Sequence, residues 1–293
     1  MYPLFNLNSI RLMSKPFRFM FLVMLLGLPL LSAFGEKDTL KPEYRELMDI
    51  VESEKTLVER MQSDIPEEKL EAEIELRIST IIEAYKTYLE NYPRNVFAKI
   101  LYGKFLRKTN KPKEANEVFL EIHEDNPKIA VVNQNLALYA AEVGDYENAY
   151  KFFESSIALE PETALFHYQF GEFLYTYKNT LVKRQILTIS QWEDKMKLSF
   201  RKAHKLEPEN RDFHARWAES FFDVFQPDWN KALAIWDELI STSTNLFERD
   251  VMNLQKARVL IELSRYYEAR ELIEGVKDPA LVGSKQKLLK QLP

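Results

Sequence analysis

The apolar positions of the chain recur at helical spacing. In DYENAYKFFESSIALEPE (145–162), Ala149, Phe152, Phe153, Ser156 and Ile157 fall three or four apart and form one stripe. Pro161 follows, and a proline disfavours helical backbone in the residue before it, so the helix stops there. The pattern returns 34 residues upstream, where PKEANEVFLEIHEDNP places Ala115, Phe119 and Pro127 in register. Downstream, MKLSFRKAHKLEP gives Phe200, Ala203 and Pro208, NKALAIWDELI gives Ala232 and Trp236, and YEARELIEGV gives Ala269 and Ile273. AYKTYLENYP ends in the same way at Pro93.

Each of these helices has a partner before it. VFAKILYGKFLRKTN carries Gly103 after Tyr102, and ALFHYQFGEFLYTYK carries Gly171 after Phe170. Ala137, Ala218 and Ala257 hold the matching place in the other pairs. A small residue there lets two helices approach closely. The breakers NKP, VGD and QPD separate the partners.

A helix–turn–helix unit recurring every 34 residues marks a stacked repeat, and this one resembles the tetratricopeptide (TPR) repeat. The family's small first-helix residue matches Gly103, Ala137, Gly171, Ala218 and Ala257. Its second-helix alanine matches Ala115, Ala149, Ala232 and Ala269. Its aromatic matches Phe119, Phe153, Phe200 and Trp236, and its closing proline matches Pro93, Pro127, Pro161 and Pro208. The family's first-helix tryptophan is mostly absent, with Lys99, Asn133, His167 and His214 in its place. The resemblance implies an all-α fold: a right-handed α-solenoid of about five TPR-like helix–turn–helix repeats, with N-terminal helices and a C-terminal capping helix.

The copies span 96–129, 130–163, 164–210, 211–249 and 250–280. The third has 47 residues, 13 more than the period, which either lengthen its first helix or form a loop between its two helices. Ahead of the repeats, 36–95 reads as two helices, 43–63 and 66–92, the second unbroken. Behind them, 281–293 has Leu288, Leu289 and Leu292 beside several lysines, which suits a cap with one polar face.

The first 35 residues differ from the rest. Arg11, Lys15 and Arg18 precede the apolar run FMFLVMLLGLPLLSAF, and no acid occurs before Glu36. The run is short for a span of roughly 20 residues and contains Pro29. With Ala33 and Gly35 as small residues near its end, 1–35 reads as a signal peptide, or alternatively as an anchor through 19–34. The expected location is therefore exported, periplasmic or secreted, with membrane contact only through this segment if it stays uncleaved. Without it, 37 Lys plus Arg stand against 45 Asp plus Glu, a net of −8, which argues against nucleic acid as the main partner.

Candidate chemistry is sparse. The chain has no cysteine, which excludes disulfides and thiolate catalysis. Five glycines remain after the signal and none forms a phosphate-cradling loop. No HExxH or nucleophile elbow occurs. His167 and His214 hold equivalent places in successive first helices, but no carboxylates repeat with them, so packing is the expected role rather than a metal site. Most aromatics fall on the repeat's packing positions. No catalytic residue, metal or cofactor is expected.

What remains is a surface. In TPR proteins the first helices line a groove that holds a peptide or partner segment. Carried over, this implies Lys104, Arg107 and Lys108 at one end, with Gln134, Tyr168, Glu172, Tyr175 and Phe222 in the middle. Glu219 and Asp223 lie beyond. The family's lysine–asparagine carboxylate clamp is not matched, because Ile100 and Lys104 stand in those places. The function expected is an exported, non-enzymatic scaffold or adaptor for a protein or peptide partner. The alternative is an assembly subunit of an envelope complex, acting through self-association or its N-terminal helices.

Overall fold

The computed structural model describes residues 41–61 and 67–293. The segment read as a signal or anchor lies outside the described residues. Among the described residues every regular element is helical: fourteen α-helices and two short 3-10 turns. No helix among them is long and apolar enough to cross a membrane. The chain divides into two units, 1–152 and 153–293, with the division inside one helix.

In the first unit, α1 (Pro42–Met61) and α2 (Glu67–Asn91) pack as a pair. α3 (Val96–Lys108) pairs with α4 (Pro112–Asp125), and α5 (Ala130–Glu142) follows. α6 (Tyr146–Leu159) contains the division. The core gathers Leu47, Ile50 and Leu57 of α1, Ile81 and Tyr85 of α2, Tyr102 and Phe105 of α3, and Phe119 and Ile122 of α4. The signature residues meet here. A Cβ built on Gly103 would lie 2.8 Å from Cζ of Phe119, too close for any side chain unless that ring moves.

In the second unit, α7 (Ala164–Thr176) packs on α9 (Ile189–Leu206), with the short α8 (Lys178–Lys183) between them in sequence. α10 (Arg211–Glu219) runs on into a 3-10 turn, Ser220–Phe222, and packs on α9 and on α11 (Trp229–Thr242). α12 (Leu246–Glu262) pairs with α13 (Tyr266–Gly275), and α14 (Val282–Leu289) packs on both. Gly171 repeats the logic of Gly103, with a Cβ falling 2.7 Å from Cε1 of Phe200.

One turn closes several of the first helices. Asn110, Gly144 and Ser264 all have positive φ (62°, 84° and 58°). The next residue then donates its N–H to a carbonyl five residues back: Lys111 to Leu106, Asp145 to Ala140 and Arg265 to Leu260. This left-handed cap satisfies the last carbonyls of the helix.

The extra residues of the third copy do not lengthen its first helix. α7 has 13 residues, the same as α3 and α5. They form α8, a turn with Gln185 at φ 58°, and added length at the start of α9, which has 18 residues against 14 in α4. A capping box fixes the new start: Thr188 Oγ1 accepts from the Gln191 N–H, and Oε1 of Gln191 accepts from the Thr188 N–H.

Candidate partner-binding face

The residue after the small first-helix position is Lys104 and Leu138 in the first unit, and Glu172, Glu219 and Arg258 in the second. In the first unit the basic residues at this end are not a free patch. Arg107 bonds to the Glu142 carboxylate. Glu54, from α1, stands 4.0 Å from Lys108 Nζ and accepts a 2.5 Å hydrogen bond from the Tyr85 hydroxyl. Burial pushes Glu54 up, and the Tyr85 bond and the charges of Lys108 and Lys104 oppose it. Burial likewise lowers Lys104 and Lys108, and Glu54 opposes that. Glu54 of the N-terminal helix thus supplies the anion that these lysines would otherwise take from a ligand.

Gln134 departs from the expectation. It is 2% exposed, within a run of six buried residues, 132–137. α5 is buried around most of its circumference, so the side chain is not available to a partner.

In the second unit the expected residues converge on one that sequence reasoning did not single out, Arg216 of α10. Its Nε donates to Glu172 of α7 at 2.5 Å, and its Nη1 to Asp223 at 3.3 Å. The guanidinium lies over the Phe200 ring at 4.1 Å and the Tyr175 ring at 4.4 Å. Burial works against its charge, but the surrounding carboxylates outweigh burial and hold the arginine above its ordinary value. Asp223 and Glu219 are both pushed up by burial, with Arg216 opposing. Asp223 raises Tyr175, and burial adds to it. Tyr168 is raised by burial and stacks on Phe213 at 4.7 Å. Arg258 of α12 covers the Phe222 ring at 3.9 Å. The signal for Arg258 was in the register, since it follows Ala257 as Glu219 follows Ala218. Arg216 had none, because it sits on a different stripe of its helix.

The residues in place of the family's tryptophan have a definite task. Asn133 Nδ2 donates to the carbonyl of Pro127 at 3.0 Å, and His167 Nε2 donates to that of Pro161 at 2.8 Å. Each ties its helix to the turn six residues before it. His214 stacks on His204 instead, with ring centroids 4.0 Å apart. Among the described residues no group of three or more His, Asp or Glu is placed to hold a metal ion.

No family model matches the sequence, and no curated protein does. Solved structures are similar in fold. One is YrrB, described as a TPR protein with an unusual peptide-binding site: 13% identical, covering 70% of this chain and 99% of that one, TM-score 0.52. PilF of Pseudomonas aeruginosa is 16% identical over 67% of this chain and 85% of that one, TM-score 0.47. A mutant O-GlcNAc transferase of Thermobaculum terrenum is 17% identical over 58% of this chain, TM-score 0.37, and the match spans 26% of the transferase. The fold is that of the TPR proteins: all-helical, built of paired helices in a repeating register.

Proposed function

We propose that this protein is a non-enzymatic scaffold or adaptor that binds an extended segment of a partner protein along its first-helix face. The observation that carries the reading is the cluster around Arg216. It holds Glu172 and Tyr175 of α7 and Asp223, just past the 3-10 turn that follows α10, in one preset arrangement while leaving Tyr175 44% exposed. Aromatic and arginine groups held rigidly are the usual anchors of an interface, and a preorganised receptor loses little entropy on binding. The peptide-binding site named for YrrB supports the same reading. Export is part of the proposal and rests on residues 1–35; sequencing the mature N-terminus should give Glu36.

The test is a peptide library selected on the purified protein. Tyr175→Ala and Glu219→Gln should each weaken the selected peptides about tenfold, the scale of one interface anchor. Lys151→Ala, on the exposed face of a second helix, should leave them unchanged. Peptides indifferent to both face substitutions would overturn the reading. Turnover of a substrate by the purified protein would overturn its non-enzymatic part. A second reading, assembly by self-association, predicts a mass that rises with concentration in light scattering.

A further inference from the structure

Asn133, His167 and His214 hold one register position, six residues after Pro127, Pro161 and Pro208. The first two bond to their proline's carbonyl, and the third does not. The imidazole of His214, on α10, faces His204 of α9 with planes 19° apart. Trp217 extends the stack, 5.1 Å from His204. Nε2 of His214 and Nδ1 of His204 are both buried with no hydrogen-bond partner.

Two neutral imidazoles stack as any aromatic pair does. Two imidazolium ions at that spacing repel each other, and their buried N–H groups have no acceptor. The charges around them do not supply one. Glu238 of α11 stands 3.8 Å from His214 Nε2, but its side chain is 67% exposed and well solvated. Arg211 of α10 adds positive charge, as does Lys231 of α11, whose Nζ lies 5.6 Å from the Trp217 ring. From α9 the facing group is His204 itself. Burial, and then the charge of His204, push His214 down to about 4. Burial lowers His204 as well, with Glu238 opposing.

We infer that the His204–His214 stack is an acid-sensitive latch that fixes α10 against α9 while both rings are neutral and releases it when they protonate. α10 carries Arg216 and Glu219 and leads into Asp223, so its release dismantles the cluster described above. The consequence for a bound partner rests on the groove reading; the latch does not. The fold disfavours the imidazolium form, so the latch holds fully above the ordinary histidine value near 6.5. It weakens as pH falls from there toward about 4, where the unfolded state binds more protons than the folded one.

Hydrogen–deuterium exchange of the purified protein at about pH 7 and about pH 5, corrected for intrinsic rates, tests it. The amides of α10 should lose about tenfold in protection at the lower pH relative to those of α3, and the double variant His204→Phe/His214→Phe should not lose it. If that variant fails to fold, an NMR titration of the unmodified protein decides, with the His214 midpoint expected well below the ordinary value near 6.5. Equal protection of α10 at both pH values, the same loss in the folded phenylalanine variant, or an ordinary His214 midpoint would overturn the latch. If α10 loosens while the affinity of a selected peptide stays constant, the latch stands and the groove reading falls.

Discussion

Trp192 and Trp236 are each 1% exposed, and one hydrogen bond separates them. Trp192 Nε1 donates to the carbonyl of Leu174 at 2.7 Å, whereas Trp236 Nε1 is buried with no acceptor. Replacing either by phenylalanine removes the same volume. In Trp192→Phe the Leu174 carbonyl also loses its donor, while in Trp236→Phe an unsatisfied N–H disappears. Trp192→Phe should therefore cost about 1–2 kcal/mol more than Trp236→Phe. Urea unfolding with matched m-values measures the difference, and equal losses would refute it. Trp236 was legible from sequence as the repeat's aromatic. Its orphaned N–H was not, because an acceptor depends on which distant backbone packs alongside. Gly103 and Gly171 were legible for the opposite reason: the same ring presses on the same position in two copies.

At the scale of elements, the paired helices and their turns could be read from periodicity, prolines and breakers. What α1 does on reaching the first repeat could not. Glu54 meets Tyr85 across 31 residues and Lys108 across 54, and no local pattern encodes such distances. The third copy is a similar case, since its length predicted added residues but not the capping box that places them in α8 and α9. The Glu54–Tyr85 bond is a short hydrogen bond to a charged acceptor in a mostly buried setting. Tyr85→Phe would leave that carboxylate without its donor, and Glu54→Gln would remove the charge. A double-mutant cycle on these two changes should show coupling of about 1–2 kcal/mol, read from unfolding free energies. Additive losses would mean that this bond does not hold α1, leaving its apolar residues Leu47, Ile50 and Leu57 and the Arg60–Glu73 ion pair to dock it.

For the molecule as a whole, stacked repeats bury each helix pair against its neighbour, so the outer apolar face of the α12–α13 pair needs a cover other than a repeat. Here Leu254, Ala257 and Leu260 of α12 and Ile273 of α13 are covered by Leu288, with Leu281, Leu289 and Leu292 around it. The lysines of this segment were expected to form only a polar outer face. One does more: Lys285 Nζ donates to the carbonyls of Glu274 at 2.8 Å and Val276 at 2.9 Å, capping the end of α13. Truncation after Val276 removes both the cover and the cap. Burying or exposing a leucine is worth about 1.5–3 kcal/mol, so losing the Leu288 cover should destabilise the second unit by at least that much. The uncovered face should also make the truncated protein self-associate, with a mass in light scattering that rises with concentration. Lys285→Met separates the two contributions, because it keeps the apolar cover and loses only the cap. It should cost about 1 kcal/mol and leave the protein no more associated than the unmodified chain. If the truncated chain matches the full one in stability and mass, the second unit ends at α13 and 277–293 is dispensable to it.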